Sequence, residues 1–344
     1  MPAKTVELRE AVGQRLAHDV TEIRPGEFKG PAFKKGHLIC DDDLCRLQRI
    51  GKNRIAVVDR LAEGEIHEDE AAAILARALA GEGVTWEDKP SEGKITLHAA
   101  LDGLLEVDTA SLAGFNMVQE VMAATLHTNT LVKMGDQVAA TRALPMIMDR
   151  VPIQRAAAIA AQNGGVVSVR PLKRARAGLV ITGDEVFHGL IQDRFEPILR
   201  KKLSRLGTRV IEAALVPDDP EEISRIIRSQ LDQGCELILL SGGMSVDPDD
   251  VTRLGIKLAG AEELLYGAAV LPGAMFLAAY IKGVPLLGVP ACGLFHRTTV
   301  LDLILPRVLA GRRITRADLS LLGHGGLCRN CESCVFPECG FGKG

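Results

Sequence analysis

The stretch Ala177-Gly178-Leu179-Val180-Ile181-Thr182-Gly183-Asp184-Glu185 decides the fold of the second half of the chain. A largely apolar run meets a glycine and two carboxylates, the pattern of a buried strand that stops at a polar turn. The pattern then repeats. Phe195 to Leu206 has helical spacing and closes at Gly207, and Arg209 to Val216 is a strand. Glu221 to Leu231 is a helix closing at Gly234, and Glu236 to Leu240 is a strand running into Ser241-Gly242-Gly243. Val251 to Ala259 reads as a helix, Pro285 to Val289 as a strand and Phe295 to Leu309 as the last long helix. Such alternation predicts an α/β fold of βαβ units, a parallel sheet with helices on both faces, over residues 177–311.

Upstream of this domain the rhythm is mixed, and an α+β region is expected over residues 1–90. Asp41 to Asp43 favour the start of a helix carrying Leu44, Leu47 and Ile50 that Gly51 ends. Arg54 to Val58 reads as a strand and His67 to Ala80 as an alanine-rich helix with acidic residues in its first turn. Gly81-Glu82-Gly83 and Lys89-Pro90-Ser91-Glu92-Gly93 punctuate the chain and suggest a boundary. A mixed α/β or barrel-like region is expected over residues 91–176. It holds strands near Ile95–Leu97, Leu104–Val107 and Val138–Leu144, and a helix over Asn116 to Leu126. Asp102, Asp108 and Asn116 stand beside turns and read as turn residues. A cysteine-rich tail occupies residues 312–344.

The chain has 344 residues, 47% hydrophobic and 25% charged, which allows a sizeable core and more than one domain. Aromatic residues make up only 3%, and the net charge is −3, so neither base stacking nor an attractive field for nucleic acid is available. Met1 to Glu7 lacks the apolar core of a signal peptide, and no run approaches the roughly 20 apolar residues of a membrane span. The expectation is a soluble cytoplasmic protein with no membrane or nucleic-acid partner.

Ligands of open parallel sheets bind beyond the carboxyl ends of the strands. The strand ends here carry Thr182-Gly183-Asp184-Glu185, Ser241-Gly242-Gly243-Met244-Ser245-Val246-Asp247-Pro248-Asp249-Asp250 and Gly288-Val289-Pro290-Ala291-Cys292-Gly293, with Leu271-Pro272-Gly273 nearby in sequence. Paired glycines let the backbone approach a ligand, and successive amides form an anion-binding nest. A helix beginning near Asp249 would add its positive end. Asp247, Asp249 and Asp250 are hard oxygen donors suited to Mg²⁺ beside a phosphate. Asp184 and Glu185, on the same sheet edge, are further candidates for metal or ligand contacts.

Taken together, Thr182 to Glu185, Ser241 to Ser245 with Asp250, and Leu271 to Gly273 resemble the molybdopterin-binding domain of the molybdopterin molybdenumtransferases, including that of gephyrin. Ala11 to Val20 is similar to the opening of that family. The resemblance implies binding of molybdopterin or its adenylated form, and insertion of molybdate into the dithiolene with Mg²⁺ assistance and release of AMP. It places Asp184, Glu185 and Asp250 at the chemistry. Thr182, Gly183, Ser241, Gly242, Gly243, Met244 and Ser245 fall around the ligand, with Pro272, Gly273 and Cys292 as further wall. By the same analogy a homodimer is possible, and the partners are other molybdenum-cofactor biosynthesis proteins or molybdoenzymes. Two departures stand out. The family's proline-glycine-asparagine-proline turn is Pro290-Ala291-Cys292-Gly293 here, and its aspartate-glycine-aromatic-alanine segment has no counterpart in the first 170 residues. Asp249-Asp250-Val251-Thr252 is also similar to the related domain of competence/damage-inducible nucleotide pyrophosphatases. A cofactor carrier or sensor is therefore a second reading and nucleotide hydrolysis a third.

The tail places Cys328, Cys331, Cys334 and Cys339 within twelve residues. Without an export signal, this spacing reads as a metal site, either Zn²⁺ or an iron–sulfur cluster.

Overall fold

The computed structural model describes residues 4–57, 61–144, 146–244 and 251–343. The chain divides into two compact units, Met1–Leu126 with Val132–Val169, and His127–Leu131 with Arg170–Gly344. Residues 312–343 thus fall in the second unit. Among the described residues no helix is long and apolar enough to cross a membrane.

Two cores support the first unit. One gathers Val6, Leu16, Ile39, Leu47 and Ile55 beneath the antiparallel pair Lys4–Glu7 and Arg54–Val57. The helix Asp41–Arg49 supplies Leu47, its buried residue. Val58, the expected end of the second strand, lies outside the described residues. The other core lies under a four-stranded antiparallel sheet in the order Val84–Trp86, Lys94–Ala99, Gln137–Ala143, Val121–Thr125. Helix Glu68–Leu79 packs on this sheet and against helix Arg150–Ala161.

The helix expected over Asn116 to Leu126 is instead a helix at Thr109–Asn116 followed by a strand at Val121–Thr125. The Asp108 carboxylate accepts from the Ser111 amide at 3.0 Å and starts the helix early. Asn116 then clamps the strand, donating from Nδ2 to the Ala123 carbonyl and accepting from the Ala123 amide, at 3.0 and 2.8 Å.

The second unit carries the predicted α/β fold. Its strands are β1 (Arg176–Thr182), β2 (Arg209–Val216), β3 (Leu237–Ser241), β4 (Glu263–Tyr266), β5 (Leu277–Ile281) and β6 (Val284–Val289). Its helices are α1 (Asp184–Phe187), α2 (Phe195–Arg205), α3 (Pro220–Asp232), α4 (Thr252–Leu258), α5 (Val300–Leu309) and α6 (Arg316–Leu321). The sheet order is β2-β1-β3-β6-β5-β4. β2, β1, β3 and β6 run parallel, while β5 and β4 add an antiparallel edge.

The central strands are apolar throughout because both faces are covered. Leu179, Ile181, Leu239 and Leu287 meet Leu199 and Leu203 of α2 and Ile304 of α5 on one face. Val180, Ile238, Leu240 and Leu286 meet Ile223 and Ile227 of α3 and Ile256 of α4 on the other. Each such side chain contributes about 1.5–3 kcal/mol by leaving water. A polar pin helps seat α3, since the buried Gln230 amide donates to the Leu179 carbonyl at 2.8 Å. Gly178 leaves the space, because a Cβ there would stand 2.1 Å from Gln230 Oε1.

β4 and β5 were not legible as strands, although Lys282 and Gly283 carry the signal of a hairpin. Both have positive φ, 49° and 80°, between the apolar runs of β5 and β6. The helix expected from Phe295 begins only at Val300. Ala291–Leu294 forms a separate 3₁₀ turn, and the Thr299–Asp302 capping box starts α5.

Candidate functional site

β1 leads outward to β2, and the chain then returns to β3 on the other side of β1, so the sheet order reverses between β1 and β3. The crevice at their carboxyl ends is where such sheets bind ligands. Register levels the relevant residues at one edge, since Ile181 pairs with Ser241 and Ser241 with Val289.

A buried hydroxyl cluster fastens β1 to β3. Thr182 Oγ1 lies 3.2 Å from the Ser241 carbonyl and 3.1 Å from Thr252 Oγ1, which itself lies 3.1 Å from the Gly242 carbonyl. Two hydroxyl protons serve three contacts, and in the contact between the two hydroxyls either one can donate. The paired glycines are explained first by this cluster. With φ of +88° and +56°, Gly242 and Gly243 would place a Cβ 2.3 Å from the Thr182 carbonyl oxygen and from Thr252 Oγ1 respectively. Ser241 is fully buried, and its hydroxyl has no hydrogen-bond partner among the described residues.

Gly242, Gly243, Met244, Pro272, Gly273 and Cys292 line one cavity of about 420 Å³, within the size range of small-molecule sites. Met244 packs down on Gly288, and the Tyr266 hydroxyl donates to the Met244 carbonyl at 2.7 Å, which ties β4 to the loop. Gly273, at φ +128°, passes so close to α5 that a Cβ would lie 2.6 Å from Val300 Cγ1. Cys292 sits in the 3₁₀ turn, where burial pushes its thiol pKa up and keeps it protonated near neutrality.

Asp184 and Glu185 occupy α1 at the end of β1, exposed, and do not line that cavity. Asp184 is engaged with Asp218 in the loop after β2. The Asp184 amide donates to the Asp218 carboxylate and the Asp218 amide to the Asp184 carboxylate, each at 3.1 Å. Asp218, in the loop after β2, and Tyr266, in β4, also hold this edge, and neither carries a local signal in the sequence. Ser245, Asp247, Asp249 and Asp250 lie outside the described residues. α4 begins at Thr252, later than the expected start near Asp249.

The four tail cysteines all line a second cavity, of about 650 Å³, with Thr298 and Arg297 opposite. Thr298 Oγ1 stands 3.3 Å from Cys334 Sγ, a hydrogen bond that draws the Cys334 thiol pKa down. Among the described residues no group of three His, Cys, Asp or Glu side chains is arranged to hold a metal ion.

The family model described as "Probable molybdopterin binding domain" matches residues 178–310. That segment is a domain of this family. Residues 5–59 match a family described as a domain of unknown function. A CinA-like protein of Mycolicibacterium vanbaalenii is 38% identical over 96 residues, covering 28% of this chain and 23% of its own length. A CinA-like protein of Mycobacterium tuberculosis is 41% identical over 78 residues, or 23% and 18%. The chain therefore spans about a fifth of the length of these curated relatives. Among solved structures, the molybdopterin biosynthesis enzyme MoaB of Thermus thermophilus is 24% identical with a TM-score of 0.34, covering 41% of this chain and 99% of that one. The molybdopterin biosynthesis protein MoeA of Pyrococcus horikoshii is 16% identical at a TM-score of 0.34, covering 72% and 79%. In the molybdopterin-binding-family domain defined here, the hydroxyl cluster and the glycine loop stand at the switch point of the sheet.

Proposed function

We propose that the molybdopterin-binding-family domain binds molybdopterin, or its adenylated form, at this edge and serves molybdenum cofactor biosynthesis by inserting molybdate with release of AMP. The convergence of Gly242 to Met244, Leu271 to Met275 and Pro290 to Cys292 on one cavity at the carboxyl ends of β3 and β6 carries the reading. The fit is chemical as well as geometric. Met244, Leu271, Pro272, Met275 and Pro290 offer apolar wall to a flat ring, and the Gly242–Gly243 backbone stands ready for an anion.

In this reading Thr182 and Ser241 hold the strand ends. Gly242, Gly243 and Ser245 cradle the phosphate, and Pro272, Gly273 and Cys292 close the wall. Asp184 and Glu185 act from the neighbouring strand end. Asp250, with Asp247 and Asp249, holds Mg²⁺, whose charge would offset that of the phosphates and the leaving AMP. Cys292, with its elevated thiol pKa, is wall rather than nucleophile.

The replaced turn Pro290 to Gly293 favours a second reading, a carrier or sensor that retains the pterin without turnover. Mixing the full chain with adenylated molybdopterin, Mg²⁺ and molybdate tests both. Molybdate-dependent AMP release is expected. Retention without release would establish the carrier, and neither binding nor release would overturn the pterin assignment. Hydrolysis of ADP-ribose with Mg²⁺ would instead establish nucleotide pyrophosphatase chemistry, the reading suggested by Asp249 to Thr252.

A further inference from the structure

The cysteine run is held at both ends by the folded domain. Before it, the Leu271 amide donates to the Gly326 carbonyl at 2.9 Å and the Cys328 amide to the Leu271 carbonyl at 2.8 Å. This parallel bridge allows no side chain at Gly326, where a Cβ would fall 2.3 Å from the Leu322 carbonyl oxygen. After the run, Phe341 is buried in the core of α5, stacked edge-on to Phe336. Gly342 lies against Leu303, and its amide donates to the Gly325 carbonyl at 2.9 Å. Cys328 and Cys339 pack partly into that core, while Cys331 is exposed.

Spacing discriminates between the occupants that four thiols suit, because Cys328-x2-Cys331-x2-Cys334 repeats the two-residue spacing of a ferredoxin run. A structural zinc ion draws its sulfurs to about 2.3 Å from one centre and leaves a closed tetrahedron. Here the four cysteines all line one cavity. A polynuclear cluster sets its thiolates farther apart, one to each corner, and fills the space between them with iron and sulfide. Charge agrees, because a thiolate-ligated cluster is anionic and the lining contains Arg297 and Arg329 against the single acid Glu332.

We propose that Cys328, Cys331, Cys334 and Cys339 hold an iron–sulfur cluster in this cavity. Each thiol gives up its proton as its sulfur bonds to iron, and iron and inorganic sulfide come from outside the protein. The Thr298 hydroxyl then donates to the Cys334 sulfur, and hydrogen bonds to the sulfurs are among the factors that set a cluster's potential. Leu271, which the tail bridge fixes, continues into Pro272 and Gly273 of the other cavity, so the cluster braces one wall of the site at the ends of β3 and β6. This bracing rests on the pterin reading, whereas the cluster itself does not.

The test is anaerobic reconstitution of the full chain with ferrous iron and sulfide, with ferrous iron alone and with zinc alone. The expected result is iron and acid-labile sulfide bound in about equal amounts, with visible charge-transfer absorption that dithionite bleaches. Cys331→Ser, at an exposed position, should lose the bound sulfide and the absorption while its circular dichroism stays that of the wild type. Iron or zinc taken up by the wild-type chain without labile sulfide would overturn the proposal. So would a folded Cys331→Ser/Cys334→Ser variant that keeps the full sulfide content. Should the variants not fold, resonance Raman of the reconstituted wild type decides, since absence of iron–thiolate stretching modes rejects the cluster. Pterin retention measured on the same samples reports on the bracing separately.

Discussion

In the N-terminal unit Asp108 meets Ser111, three residues on, and Asn116 meets Ala123, seven residues on. In the α/β unit Thr182 meets Ser241 and Thr252, fifty-nine and seventy residues away. The residue types are similar and both sets stand at element ends. The difference lies in what supplies the partner. These residues spend their side chains first on the backbone beside them, with the Asn163 side chain as a further donor to Asp108. At the switch point the partners come from another strand and from the helix that follows it, so the polar groups join elements that are far apart in the sequence. Polar residues at strand ends therefore become informative when their partners are distant in sequence.

The largest expected effect comes from forcing the convergence apart. Gly242→Val adds a side chain at φ +88° with its Cβ 2.3 Å from the Thr182 carbonyl oxygen, and the backbone on both sides is fixed by the sheet. Backbone strain and overpacking together should cost about 3 kcal/mol or more. Gly189→Ala is the control, at φ +70° with nothing near its Cβ, and should cost about 1 kcal/mol. Urea unfolding of the two variants reads the difference. Equal losses would mean that the Thr182 contact does not constrain the loop.

Thr182→Val and Thr252→Val sharpen the same point. Each removes one hydroxyl of a buried chain and should cost about 1 kcal/mol, with the double variant costing less than the sum. Additive losses would separate the two hydroxyls into independent caps, as in the N-terminal unit, and dissolve the contrast.

The central strands were legible because a run such as Leu237-Ile238-Leu239-Leu240, ending at Ser241-Gly242, has one physical solution, burial on both faces. The antiparallel edge was not, since Leu264 to Ile281 is apolar with interruptions and offers no helical or alternating period. Only Lys282-Gly283 marked the hairpin. The helix placed over Asn116 to Leu126 failed for a related reason. Helical spacing of apolar residues cannot register that Asp108 has already capped an earlier helix, or that Val121 to Thr125 has a strand to pair with. At the candidate site, the glycine loop, Pro272–Gly273 and Cys292 were readable one by one. Asp218 and Tyr266 were not, because nothing local distinguishes an aspartate after a strand from any other turn aspartate. Their placement depends on which strands become neighbours.

The smallest effect belongs to the Asp108 turn. The Ser111 amide first, then the Asn163 side chain and the Ser111 hydroxyl, donate to Asp108 and hold its carboxyl down to about 2. A carboxyl whose pKa is lower in the folded chain stabilises the fold above the ordinary aspartate range, near 4, and loses that contribution as the pH falls toward 2. The group is close to solvent, so screening reduces the gain to below about 1 kcal/mol. Urea midpoints taken between pH 5 and pH 2 should show this component for the wild type and a flatter profile for Asp108→Asn. The substitution keeps an oxygen to accept from the Ser111 amide but has no proton to gain. An unchanged profile would assign the acid sensitivity to other carboxylates and leave Asp108 a neutral cap. In either case Thr182 and Thr252, which carry no ionisable group, predict that the hydroxyl cluster itself contributes no pH dependence over the same interval.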